Sequence, residues 1–291
     1  MKKISVPDLV MWTLRRNEKD IIKMYDFLSD IMKIATGGDM LNFGFWNDDA
    51  KSPLQAQENM CRIFGRVADL KSKLKVVDTG SGFTTPASIW SAEYSPIDIV
   101  CVDVNFAHLQ RFGYGQDNIR IQKNDTIKHN KISRLNATSR LLPFKSDSVD
   151  RVLALESAQH FKPLGEFLSD SFRILKNDGL LAMAIPVMEK RVSFAKLGML
   201  SFTWSSEHYA ADYVASEIVK SGFKITSLQK IGSSVYVPLA DYYLENRKSI
   251  SAKILKLYPQ YVEKILAQSL QKMKSVSQEG IIDYLFVVCK K

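Results

Sequence analysis

The chain has 291 residues, of which 46% are hydrophobic and 24% are charged, and its formal net charge is +9 at pH 7. This composition is typical of a globular protein with a large core, which excludes disorder as the main state. No apolar run reaches the roughly 18 residues of a membrane-spanning helix, and the three scattered cysteines indicate neither a disulfide framework nor a zinc site. We therefore expect a cytoplasmic protein without a metal site.

The first part of the chain, residues 1–70, is predicted to be a helical lid that precedes the core. Apolar residues recur there at helical spacing until two glycines, beginning at Gly37, predict the end of a helix. An aromatic loop, LNFGFWND, follows at residues 41–48. Ser52 and the proline after it then suit the cap and first turn of a second helix.

Short β-branched segments alternate with helical segments in the remainder, residues 71–291. The predicted strands are KVVDT (75–79), DIVCVDV (98–104), NIRIQKND (118–125), DRVLALE (150–156), GLLAMAIP (179–186), FKITSLQKI (223–231) and IIDYLFVVC (281–289). Their alternation with helices predicts an α/β unit built on a parallel sheet with helices on both faces.

Much of the positive charge lies near the C-terminus, in residues 247–274. This basic segment could contact nucleic acid or an anionic membrane surface. The other interpretation is a solvated helical face whose apolar residues pack inward. Those residues are Ile254, Leu255, Tyr258, Val262, Ile265, Leu266 and Leu270.

The first strand ends in the glycine-rich sequence VVDTGSGFTTP, residues 76–86. Gly80 and Gly82 allow the backbone to turn sharply and to approach a ligand closely. The dinucleotide fingerprint G-x-G-x-x-G would place its third glycine at position 85, which is a threonine here. Asp78 is poorly placed for a pyrophosphate, so the loop favours a ligand that carries an ammonium or a sulfonium.

The second strand ends in Asp103, a carboxylate where such folds bind ribose hydroxyls. This position predicts an adenosine-containing ligand, and a nicotinamide cofactor would fit it equally well. Residue 103 alone therefore leaves the class of enzyme open.

Five segments carry a resemblance to a known family. The aromatic loop LNFGFWND comes first in the chain, and VVDTGSGFT, VDV, LNATSRLLPFKSDSVDRVLALESAQHF and FRILKNDGLLAMAIP follow in that order. Together they resemble class I S-adenosylmethionine-dependent methyltransferases of the small-molecule type. The resemblance implies a single doubly wound, Rossmann-like sheet of seven strands, with S-adenosylmethionine as cofactor and S-adenosylhomocysteine as product.

The resemblance also implies roles for individual residues. The methionine part of the cofactor falls to Asp78, Gly80, Ser81 and Gly82, the ribose to Asp103, and the adenine to Asn136 and Ala137. Val104 is also expected to bind the cofactor. Two positions depart from the usual pattern. Thr84 replaces a common third glycine, and Asn136 replaces an acid, so its carbonyl oxygen is expected to face the adenine amino group.

The segment after the fourth strand contains the predicted catalytic residues. His160 can act as a general base near neutral pH. Glu156 could bind the cofactor's ammonium group, orient His160 or close a turn. Methyltransferases that act on the amino groups of nucleobases or on glutamine typically have an Asn/Asp-Pro-Pro-aromatic run after this strand. The segment here lacks such a run, so a nucleic-acid partner is not expected.

An apolar acceptor pocket is predicted from aromatic side chains outside the sheet. They are Tyr25, Phe43, Phe45, Trp46 and Trp204, the last within a predicted acceptor-pocket insertion at residues 188–215. We expect O-methylation of a hydrophobic small molecule such as a polyketide, terpenoid, quinone or lipid. The alternatives are C-methylation of an isoprenoid or sterol-like double bond, and a nicotinamide-dependent oxidoreductase. The enzyme is expected to be a monomer or a homodimer.

Overall fold

A seven-stranded sheet forms the centre of the protein, whose computed structural model describes residues 17–110, 131–198, 200 and 207–291. The strands are β1 (Lys75–Thr79), β2 (Asp98–Asp103), β3 (Lys131–Asn136), β4 (Val149–Leu155), β5 (Leu175–Met188), β6 (Lys224–Lys230) and β7 (Ile282–Lys290). Their order across the sheet is β3-β2-β1-β4-β5-β7-β6. The first five run parallel, and β7 is antiparallel to both β5 and β6. The predicted α/β fold is confirmed.

The order of the strands determines where a ligand can bind. From β1 the chain proceeds outward through β2 and β3, then returns to the other side of β1 with β4 and β5. The reversal leaves a crevice beyond the carboxyl ends of β1 and β4. Val77 in β1 pairs with Val100 of β2 and Val152 of β4, so these three strand ends lie side by side.

Helices cover both faces of the sheet, as predicted. They are α1 (Glu18–Thr36), α2 (Pro53–Val67), α3 (Thr85–Glu93), α4 (Phe106–Gln110), α5 (Leu164–Ile174), α6 (Phe194–Leu197), α7 (Ala211–Lys220), α8 (Tyr236–Glu245), α9 (Arg247–Ile254) and α10 (Gln260–Gln278). Met60 of α2 and Trp90 of α3 belong to one buried apolar cluster. Phe167 of α5 and Ile218 of α7 belong to a second.

Helix α1 is defined at both ends by its capping residues. The Asn17 side chain accepts hydrogen bonds from the backbone of the first turn, and Gly37 ends the helix with a φ of 78°. Ile31 packs with Tyr243 and Ile254 in a third apolar cluster. One side of α1 is thus fixed to the C-terminal helices, and other residues of the helix face the crevice.

Two observations differ from the sequence-based expectations or limit them. The predicted strand 118–125 lies outside the described residues, and β3 is a later segment with weaker β-branched character. In the basic segment, Ile254, Tyr258 and Val262 are buried as expected, but Leu255 is 45% exposed because it follows the end of α9. Among the described helices, none is long and apolar enough to cross a membrane.

Candidate active site

A cavity of about 420 Å³ lies in the crevice at the carboxyl ends of β1, β2 and β4. The loops after these strands form its floor, and residues of α1, including Ile21, Ile22 and Tyr25, form its roof. The segment Asp39–Asn42 closes one side. One chamber therefore extends from the glycine-rich loop to the turn that carries His160.

The glycine-rich loop lines this cavity with left-handed backbone that glycine adopts readily. Gly80 and Gly82 have φ values of 73° and 54°. A Cβ atom on Gly80 would lie 2.4 Å from the Cβ atom of Ser157, and Ser157 is fixed by a 2.6 Å hydrogen bond to the carbonyl of Thr79. The close packing leaves a cradle for a ligand at Gly80, Ser81 and Gly82, which all line the cavity.

Thr84 adopts a left-handed conformation, with a φ of 62°, at the start of α3. This region is costly for a β-branched residue, and glycine adopts it readily. The position at which the resemblance indicated a glycine thus retains a glycine-like backbone in this chain.

Asp103 lies in the cavity wall and also supports the loop. Its two carboxylate oxygens accept hydrogen bonds from the amides of Gly82 (2.8 Å) and Asn105 (2.7 Å). Burial raises the pKa of Asp103 to about 6, although these two amides oppose the shift. Val104 lines the cavity beside it. Asp103, assigned to the ribose from sequence, and Val104, assigned to the cofactor, thus lie side by side in the cavity wall.

Asp78 occupies a different position from the one expected for it. It is buried behind the loop and is not among the residues that line the cavity. Burial, aided by the charge of Asp103, raises the pKa of Asp78 to about 7. Its Oδ2 atom has no hydrogen-bond partner in the described part of the chain. The structure therefore places Asp78 behind the loop, outside the cavity wall.

The adenine positions are also only partly in the cavity. Ala137 lines it, as predicted, but Asn136 does not. The side-chain amide of Asn136 donates to the carbonyls of Asp103 and Val104, each at 2.9 Å. These carbonyls lie where the β2–β3 pairing ends, so Asn136 connects the two strand ends.

His160 ends a short 3₁₀ turn, Ala158–His160, that follows β4. Its Nε2 atom lies 2.7 Å from the hydroxyl of Tyr25 on α1, and the two rings are perpendicular with centroids 5.3 Å apart. Both residues line the cavity. A histidine and a tyrosine are therefore presented together to the space beyond the glycine-rich loop.

Glu156 lines the same cavity but is not hydrogen-bonded to His160 among the described contacts. Its Oε1 atom accepts a 2.8 Å hydrogen bond from the amide of Phe43. Burial raises the pKa of Glu156 to about 8, against the effect of that amide. The described contacts therefore identify Glu156 as the anchor of the segment that ends at residue 43.

Three aromatic residues expected in the acceptor pocket are not in the cavity wall. Phe43 and Phe45 pack against the apolar cluster around α2 and α3, and the ring of Trp46 lies 5.5 Å from that of Tyr242. The loop is held away from the cavity wall because the amide of Phe45 donates to the carbonyl of Ala56 in α2 and the amide of Trp46 donates to the carbonyl of Ser234 after β6. Trp204 lies outside the described residues.

The sequence interpretation missed His108, which lines the cavity near Phe83 with ring centroids 4.5 Å apart. A signal was present, because position 108 falls in the helix that directly follows the strand ending in Asp103. Within the described ranges, no cluster of three histidine, cysteine or acidic residues could hold a metal ion.

Comparison with known proteins adds a family and relatives. Residues 77–183 match the family model described as a methyltransferase domain. Erythromycin 3''-O-methyltransferase of Saccharopolyspora erythraea is 25% identical over 272 residues, which cover 87% of this chain and 86% of that protein.

Solved structures resemble the chain over nearly its whole length. A mycolic acid cyclopropane synthase, solved with S-adenosylhomocysteine and CTAB, has a TM-score of 0.78, 16% identity and coverage of 96% of this chain and 100% of its own. Geranyl diphosphate C-methyltransferase of Streptomyces coelicolor has a TM-score of 0.71 and 11% identity, with 99% of both chains covered. At these identities the structures show a shared fold.

Proposed function

Because this chain is a class I S-adenosylmethionine-dependent methyltransferase, we propose that it methylates a hydroxyl group of a hydrophobic small molecule and that His160 accepts the hydroxyl proton. The observation that carries the proposal is the 2.7 Å contact between Tyr25 and His160 in the wall of the cavity. The family assignment argues against the other alternative from sequence, a nicotinamide-dependent oxidoreductase.

The residues present fit the cofactor. Gly80 lines the cavity at a position where a Cβ atom would clash with Ser157, Asp103 offers a carboxylate in the wall, and the buried Thr79 hydroxyl lacks a partner among the described residues. Bound S-adenosylmethionine supplies a methyl group on a positively charged sulfur. Gly80, Ser81 and Gly82 would hold its methionine part, and Asp103 with Val104 would hold the ribose.

The chain's own residues then have to place the acceptor, exclude water and remove a proton. Helix α1 covers the cavity and so limits the access of water. In the proposed route the acceptor hydroxyl lies beside Tyr25. Its proton moves to the Tyr25 oxygen while the Tyr25 proton moves to Nε2 of His160. The acceptor oxygen would then have an electron pair for the methyl carbon that the bound cofactor would supply, and the sulfur would keep the electrons of its broken bond and leave as a neutral thioether.

The acceptor class is inferred from the cavity and from the similar sequences. Ile21, Ile22 and Phe161 give the cavity an apolar lining around the Tyr25 and His160 pair. The similarity to an enzyme of erythromycin 3''-O-methylation favours a hydroxyl carried by a polyketide-derived product among the hydrophobic acceptors expected from sequence.

C-methylation of a double bond receives less support. That reaction needs aromatic faces beside a developing carbocation. Phe43, Phe45 and Trp46, which were expected to supply those faces, do not line the cavity, and this leaves Phe83 and Phe161 in its wall for that role.

The decisive experiment compares the wild-type protein with the His160→Ala variant. An erythromycin that lacks its 3''-O-methyl group is the first acceptor to test, beside a set of polyketide, terpenoid and quinone alcohols. We expect kcat to fall by about 10²- to 10⁴-fold, the usual contribution of a general base. The Kd of S-adenosylhomocysteine, measured by calorimetry, should change less than about threefold. Turnover that is close to normal in this variant would contradict the role of His160.

A further inference from the structure

The two residues that flank His160 are both held by one distant segment of the chain, residues 207–209. The amide of Glu207 donates to the carbonyl of Gln159 at 3.0 Å. The hydroxyl of Tyr209 donates to the carbonyl of Phe161 at 2.6 Å. The backbone carbonyls on both sides of His160 therefore accept hydrogen bonds from the same short segment.

This holding segment is itself attached to the sheet and to a helix. The amide of Met188, the last residue of β5, donates to the carbonyl of Tyr209 at 2.9 Å, and Met188 and Ala210 form a parallel bridge. The ring of Tyr209 stacks on that of Tyr213 in α7, with centroids 5.3 Å apart. The position of residues 207–209 is thus fixed by the end of β5.

The His160 turn needs such external support because it is short. Only one 3₁₀ turn, Ala158–His160, separates β4 from the next extended residues, and runs of this kind have poorer hydrogen-bond geometry than an α-helix. His160 must nevertheless meet a hydroxyl on a separate helix at 2.7 Å. A small rotation of the turn would break this contact.

We propose that Tyr209 is a positioning residue for His160: its hydroxyl holds the carbonyl of Phe161 and thereby keeps the imidazole in line with Tyr25. The proposal rests on the proposed function, in which His160 receives the acceptor proton. It also gives residues 207–209, at the end of the segment 188–215, a role in aligning the proton acceptor.

The chain offers a matched pair of variants for the test. Tyr209→Phe removes the hydroxyl that bonds to Phe161 and keeps the stacked ring. Tyr213→Phe removes the hydroxyl from the other ring of the stack, and that hydroxyl makes no hydrogen bond with the described residues. Both variants should bind S-adenosylhomocysteine with unchanged Kd, which shows that each is folded.

The first readout needs no acceptor. The imidazole signal of His160 is identified by NMR as the one lost in His160→Ala. Tyr209→Phe should shift this signal and its titration midpoint, whereas Tyr213→Phe should leave both in place. An unchanged His160 signal in Tyr209→Phe would overturn the proposal, whatever the activity.

The second readout is kinetic. We expect Tyr209→Phe to lower kcat by about tenfold with little change in KM, because a misplaced catalytic group costs rate more than binding. In a His160→Ala background the same change should have no further effect. If His160→Ala keeps its activity, the proposed function fails; if only Tyr209→Phe keeps it, the positioning role fails.

Discussion

The hydroxyl of Tyr25 lies 2.7 Å from Nε2 of His160, although 135 positions separate the two residues in the chain. One belongs to the helix that covers the cavity and the other to the turn after β4. In the proposed mechanism, the cover of the cavity and the proton route both depend on α1.

Replacement of Tyr25 by phenylalanine should remove the proton route and leave the helix in place. We expect kcat to fall by at least about tenfold, while the Kd of S-adenosylhomocysteine stays within about threefold of the wild-type value. Steady-state kinetics and calorimetry measure the two quantities. Tyr242→Phe is the control, since this ring packs on Trp46 away from the cavity. Equal kcat values for both variants would argue against the route.

Replacement of Gly80 by alanine should abolish tight cofactor binding. The new Cβ atom would meet the Cβ atom of Ser157 at 2.4 Å, and the φ of 73° adds strain of roughly 1 to 2 kcal/mol. Gly37→Ala is a matched control, because Gly37 has a φ of 78° and no atom within 4 Å of its Cβ position. We expect the Kd of S-adenosylhomocysteine to rise at least about tenfold in Gly80→Ala only. Similar values of Kd in both variants would show that the close contact is unimportant.

Replacement of Thr84 by glycine should stabilise the protein or leave it unchanged, although the residue is fully buried. Its φ of 62° strains a β-branched residue, and its buried hydroxyl has no partner among the described residues. We expect a gain of up to about 1 kcal/mol in the free energy of unfolding, measured with urea. Thr85→Gly should instead destabilise, since Thr85 donates to the carbonyl of Asp39 at 3.0 Å. A loss in Thr84→Gly as large as that in Thr85→Gly would contradict this account.

The contrast between Gly80 and Trp46 shows which features could be predicted from sequence. Gly80 and Asp103 stand at the carboxyl ends of two buried parallel strands. Such ends lie at the same edge of a sheet, so the two residues could be placed together from sequence. The direction of the Trp46 side chain depends instead on the distant carbonyls to which the amides of its loop donate hydrogen bonds. Those carbonyls belong to α2 and to a turn nearly two hundred residues later, so no local pattern could have placed the ring.

The pairing of His160 with Tyr25 and with residues 207–209 was also beyond local patterns. The sequence indicated His160 as a base and Tyr25 as a pocket residue, but their direct contact depends on how α1 crosses the sheet. In the same way, Asn136 could be assigned to a strand end from its position. The two hydrogen bonds that its side-chain amide donates to backbone carbonyls depend on the neighbouring strand and could not be predicted from sequence.

Binding of S-adenosylhomocysteine should weaken as the pH falls. Burial raises the pKa of Asp103 to about 6, and ribose hydroxyls donate to its ionised form. A proton must therefore leave Asp103 on binding at lower pH, and the Kd should rise by about tenfold in total between pH 7 and pH 5. Calorimetry in two buffers of different ionisation enthalpy would detect the released proton. Asp103→Asn should bind weakly at every pH, without the proton release; a wild-type Kd that stays constant over this range would refute the prediction.

Replacement of Glu156 by glutamine should change the pH dependence of folding stability. Burial raises the pKa of Glu156 to about 8 from an ordinary value of 4.5, so between these values the folded state binds more protons than the unfolded state. The contribution of Glu156 to the free energy of unfolding is therefore present below about pH 4.5 and is lost as the pH rises through about 8.

Glutamine keeps an oxygen for the amide of Phe43 but cannot ionise. Relative to the wild-type protein, Glu156→Gln should be nearly neutral at pH 5 and more stable by at least about 1 kcal/mol at pH 9. Urea denaturation at both pH values measures the difference. Glu156→Ala removes the acceptor that anchors residue 43, so it should be destabilised at pH 5, where the glutamine variant is not. A glutamine variant that loses stability equally at both pH values would mean that the carboxylate's charge, and not its hydrogen bond, holds the segment.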